Sequence, residues 1–177
     1  MNPAINKTGL EWMSFAFLAC VLCYPMNGQA PPACQTRDLI IDLESTGTGS
    51  GHDVYGFELS NQGNRICTLS GYPSAVALNN KRKIVREIHF QHLTVFPLRE
   101  DQRPQEIQLK PGDHAWFQID SSNPTGREGW DNRLCKKATN IRITPPLNKN
   151  PFSEIFRFGS CDPDVFISFL IAGTPND

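Results

Sequence analysis

The sequence has no long apolar run, no excess of charge of one sign and no amphipathic helix pattern after its first thirty residues. Its longest uncharged apolar stretch, WMSFAFLACVLCY (Trp12–Tyr24), is thirteen residues, too short to span a bilayer. The 177 residues carry 17 Lys+Arg against 18 Asp+Glu, a formal net charge of −1. Nothing in that balance draws the chain to nucleic acid or to an anionic membrane surface. Gly-x-Ser-x-Gly is absent, so acyl transfer has no anchor. GTGSG (Gly47–Gly51) lacks the Lys-Ser/Thr of a phosphate loop, and no helix pattern begins after it. It reads as a flexible hairpin connection. HFQH (His89–His92) has the i, i+3 spacing of some metal pairs, but no His-Glu-x-x-His accompanies it, and on a strand those positions face opposite ways. No metal or other cofactor is expected. Glu100-Asp101 sits in the charged stretch LREDQR and reads as solvated.

What the sequence has in quantity is turn chemistry. Fourteen prolines and thirteen glycines punctuate short alternating runs, the signature of a sandwich or barrel. The length and the 39% apolar content fit one domain with a proper core. Runs with strand character are 38–44, 53–60, 75–78, 83–88, 105–109, 115–120, 140–144, 154–158 and 165–171. The last, VFISFLI, is almost continuously apolar and is expected to be central and covered on both faces. LKPGD (109–113) joins two runs through a Pro-Gly turn, Pro111 presetting φ and Gly112 free to take φ > 0. The fold expected is an all-β antiparallel sandwich of about nine short strands.

The apolar stretch at 12–24 has the length of a signal-peptide core, with Gly28-Gln29-Ala30 as small residues before a cleavage site. Residues 1–30 read as a signal peptide and 31–177 as the mature domain. The alternative is lipoprotein processing at Cys20, the single route by which this chain would contact a membrane.

Outside the leader, which holds Cys20 and Cys23, four cysteines remain: Cys34, Cys67, Cys135 and Cys161. An even count in an exported chain reads as two disulfides. Pairing 143 with 154 in an antiparallel hairpin brings Cys135 beside Cys161. Pairing 44 with 53, across STGTGSGH, brings Cys34 to the same end as Cys67. The expected bridges are therefore Cys34–Cys67 and Cys135–Cys161, each closing a loop worth about 3–4 kcal/mol in the chain-entropy account. Cys67 is then a staple. No motif ties a histidine to it as the base a nucleophile needs.

The order FELSNQGNRICTLSGYP, LKPGDHAWFQI, LCKKATNIRITPP and FGSCDPDVFISFLIAG resembles the bacterial family catalogued as domain of unknown function 4232. CTLSGYP is its most specific piece, and the likeness runs from about Cys34 to Gly173. The resemblance implies an immunoglobulin-like β-sandwich in an exported or lipid-anchored protein, and carries no catalytic residue with it. The charge-rich 81–104 segment is longer than the family pattern.

Two features suit recognition. Trp130 stands between Gly129 and Asp131 in the long loop SSNPTGREGWDNR, and Lys81-Arg82-Lys83 forms a basic tip after Asn79-Asn80. The function expected is an exported, non-enzymatic binding domain for an envelope protein or glycan. The alternatives are a structural envelope component and an enzyme using His89, His92 or His114.

Overall fold

The structure is a computed structural model, and it describes residues 30–93, 103–122 and 137–174. The leader, Trp130 and Cys135 lie outside the described residues. A 3-10 turn at Thr36–Asp38 precedes eleven strands: β1 (Leu39–Gly49), β2 (His52–Asn61), β3 (Cys67–Ser70), β4 (Ser74–Leu78), β5 (His89–His92), β6 (Glu106–Leu109), β7 (His114–Ser122), β8 (Asn140–Thr144), β9 (Phe156–Arg157), β10 (Asp164–Ile167) and β11 (Ile171–Ala172). One sheet runs β1-β2-β7-β10-β5, with β11 continuing beyond β10 along the same edge of β7. A β3–β6 ribbon and a β4–β8–β9 sheet lie opposite. All pairs are antiparallel except β5 with β10, which run parallel. The architecture is an all-β sandwich.

The layers form because each strand alternates. On β7, Ala115, Phe117 and Ile119 are fully buried, while His114, Trp116, Gln118 and Asp120 face outward, half-buried. Phe57 of β2 stacks on Phe117 at 5.2 Å between ring centroids and meets Phe156 of β9 edge-on at 5.1 Å, so it joins the two layers. Leu69, Ile107, Ile141 and Ile143 complete the same core from the opposite side.

The β8–β9 register is the expected one: Asn140 faces Arg157 and Ile141 faces Phe156. The first hairpin differs. Leu43 faces Phe57, not residue 54, because the strands continue through STGTG and turn only at Ser50-Gly51. Both turn residues have positive φ, 52° and 82°, the two-residue geometry that matches strand twist. GTGSG is thus strand and turn, not a flexible loop. A bulge at Glu44 sets Ser45 against Gly56, where any side chain would collide with the Ser45 hydroxyl.

Residues 83–88 are not a strand. Ile84 makes one bridge to Leu78, and the strand is displaced to 89–92. The run 165–171 divides in two at Ser168, whose buried hydroxyl accepts the Gln118 N–H at 2.9 Å in place of a ladder carbonyl. Its first half, β10, is central as expected, between β7 and β5, but it is covered on one face only: Val165 and Ile167 are buried while Asp164 and Phe166 are half-buried. The Pro-Gly turn forms as read: Gly112 has φ 84°, and Asp113 N–H donates to the Lys110 carbonyl at 2.9 Å. Asn61, 1% exposed, fixes this corner. Its amide donates to the Arg65 and Leu109 carbonyls, each at 2.9 Å, and its Oδ1 accepts the Gly63 N–H at 2.9 Å.

Candidate functional site

Cys67 is a staple: its sulfur is bonded to that of Cys34, 4.8 Å away between Cα atoms. The pairing matches the expectation, but its geometry does not follow from the hairpin register. The segment ahead of β1 instead runs beside β3, Cys34 N–H donating to the Thr68 carbonyl and Thr68 N–H to that of Pro32, both at 2.9 Å. Cys161 is also disulfide-bonded.

Lys81-Arg82-Lys83 is an exposed, tightly built turn. The Asn79 side chain accepts the N–H groups of Lys81 and Lys83 at 2.9 and 3.0 Å, and Arg82 N–H donates to the Asn79 carbonyl at 2.8 Å. Arg82 takes φ 59° to close it. Asparagine, with its short side-chain carbonyl, holds the backbone so that the three cationic side chains project into solvent, and none makes an ion pair among the described residues.

The chain leaving this turn lines a cleft of about 320 Å³ between the edge strands β4 and β5. Its floor is apolar: Ala77, Val85, Ile88 and Ile167 are buried and Phe90 is half-buried. Ile84, 55% exposed, stands at the lip. Arg86, His89 and His92 supply the polar rim. Beyond the cleft, Lys137 donates to Glu87 at 2.8 Å and that hydrogen bond holds the Glu87 carboxyl below its ordinary range, so this acid is matched. Arg86 is exposed and makes no ion pair among the described residues. The neighbourhood is cationic although the whole chain is nearly neutral.

A larger hollow of about 430 Å³ lies between β6 and β11, but Arg103 and Glu106 give its wall both signs of charge. A third, of about 260 Å³, surrounds Asn61 and Cys67, whose polar and sulfur atoms are committed to the corner and the staple.

The histidines are dispersed. His92 stacks flat on Tyr72 at 3.9 Å, His52 meets Asp120 at 2.8 Å and His114 meets Glu58 at 2.6 Å, the last two pairs lying across β2 and β7. No group of three metal-ligating side chains occurs among the described residues. Sequence reading missed Arg86, because 83–88 looked like a regular strand. It also missed Trp116, which the alternation of HAWFQID places on the polar face of β7.

A stapled β-sandwich carrying an apolar cleft with Arg86 at its border is the class of protein these features define. The chain belongs to the family described as "Domain of unknown function (DUF4232)", whose model matches residues 34–162. No curated protein matches it. Among solved structures, the chain is similar to a β-glucosidase from Kluyveromyces marxianus at 12% identity and a TM-score of 0.34. That likeness covers 76% of this chain and 14% of the glucosidase, so the chain spans about one seventh of that enzyme's length.

Proposed function

We propose that the protein is an exported, non-enzymatic binding domain of the cell envelope, and that its binding face is the Lys81–Lys83 turn together with the β4–β5 cleft. The observation that carries this reading is an apolar cleft bordered by Arg86 and approached by the Lys81–Lys83 turn, none of these four cations in an ion pair among the described residues, on a disulfide-bonded scaffold. Disulfides persist in oxidising compartments, which supports export. Among the described residues no helix is long and apolar enough to cross a membrane. A signal peptide over 1–30, or lipid on Cys20, would deliver the domain to the envelope. A rigid sandwich presenting a loop-borne cluster is a general arrangement for recognition.

The test compares wild type with a Lys81→Ala/Arg82→Ala/Lys83→Ala variant for retention on isolated cell-envelope material. Exposed substitutions of this kind shift stability little, about 0.5 kcal/mol each. Retention should fall while the variant still melts cooperatively within a few degrees of wild type. Equal retention of the two proteins would mean that the face is wrong. A chain recovered from its cells uncleaved, with free thiols at Cys34 and Cys67, would overturn the compartment as well.

A further inference from the structure

Resting on that reading, we propose that the β4–β5 cleft binds a small amphiphilic anion: a short alkyl or aryl tail on the apolar floor, with a carboxylate or phosphate held at Arg86. Three observations converge. The floor of Val85, Ile88, Phe90 and Ile167 offers no charged group to an entering tail. At 320 Å³ the cleft sits at the small end of ligand pockets, about 300–1,000 Å³, and so accommodates a short tail. Ile84 leaves a large apolar side chain 55% exposed at the lip, where a tail would cover it.

The charge at the mouth is of one sign. Arg86 borders the cleft and is unpaired among the described residues, while the nearby Glu87 is matched by Lys137. The guanidinium presents a planar fork that takes carboxylate or phosphate by two parallel hydrogen bonds. Lys81, Arg82 and Lys83, on the turn that feeds the cleft wall, add a positive field that favours arrival of an anion. A neutral alcohol would gain the floor and nothing at the rim. Free phosphate would gain the rim and nothing on the floor.

The disulfide-intact protein, titrated by calorimetry and amide NMR with octanoate, octyl phosphate, octanol and inorganic phosphate, tests this directly. Octanoate and octyl phosphate should shift amides of β4 and β5, and Arg86→Gln should weaken both by about tenfold, the scale of one charge-assisted pair. Octanol should bind weakly and equally to both proteins, and phosphate should leave those amides unmoved. Anionic phosphatidylglycerol vesicles form a second arm. Arg86-dependent sedimentation with them places the headgroup in a bilayer, and binding of monomers alone makes the ligand a free amphiphile. Octanol binding as tightly as octanoate, or indifference to Arg86→Gln, overturns the proposal. If no amphiphile or vesicle binds while envelope retention still depends on Lys81–Lys83, the ligand class alone is wrong.

Discussion

Gly159 donates its amide to the Tyr55 hydroxyl at 3.1 Å, and Ser121 donates its hydroxyl to the Gly159 carbonyl at 3.0 Å, so one glycine is held from two strands of the large sheet. The Tyr55 ring also packs on Phe158 at 5.3 Å. Burial pushes the Tyr55 phenol above its ordinary range, against the opposing effect of the Gly159 hydrogen bond. The unfolded chain therefore loses this proton first as pH rises. The neutral phenol's contribution is complete below about pH 10 and is lost as pH climbs through the folded-state value. Tyr55→Phe should cost about 1–2 kcal/mol at neutral pH, because the Gly159 N–H loses its acceptor. Above about pH 10 its stability should fall less steeply than wild type. Urea melts at two pH values, one neutral and one alkaline, read both effects. Parallel curves for the two proteins would mean that Tyr55 does not titrate with unfolding.

At the scale of elements, legibility followed period and turn chemistry. β8 was readable to the residue, since NIRIT alternates cleanly and buries Ile141 and Ile143. The Pro-Gly turn was readable because Gly112 is free to take positive φ. The first hairpin was misjudged because Gly, Ser and Thr signal a loop locally, while a two-residue turn at Ser50-Gly51 lets the strands extend through them. Arg86 was hidden by a tertiary effect. The Asn79-centred turn and the parallel pairing of β5 with β10 displace the strand from 83–88 to 89–92, and no local pattern encodes a parallel partner more than seventy residues away. The staple was identified correctly by a wrong route, since its partners meet through the segment ahead of β1 beside β3. Replacing Cys34 and Cys67 together by alanine should cost about 3–4 kcal/mol, from a loop of 33 residues. It should also speed exchange of the Cys34 and Thr68 amides well above that of β7. Unchanged protection at those two amides would show that the ladder holds without the bond.

At the scale of the whole molecule, charge among the described residues is grouped locally in a way that the total conceals. Cations gather at the Lys81–Lys83 turn and Arg86, while the outer face of the large sheet carries Asp42, Glu58, Asp120 and Asp164. Two of these acids are met by histidines and Asp164 by the Gln91 amide. The sheet also has an end that meets no other strand among the described residues: the eleven-residue β1, with Ile40 47% exposed. Such a border invites a second chain to add itself. The bulge at Glu44 interrupts it and brings a carboxylate to the interruption. Deleting Glu44 should straighten the border and make sedimentation grow more steeply with concentration than for the wild type, with dye-binding fibrils on prolonged incubation. A deletion variant that sediments like the wild type at every concentration would show that another feature guards that border. On this account, one residue out of register is what keeps an open sheet edge from templating its own copies into a fibre.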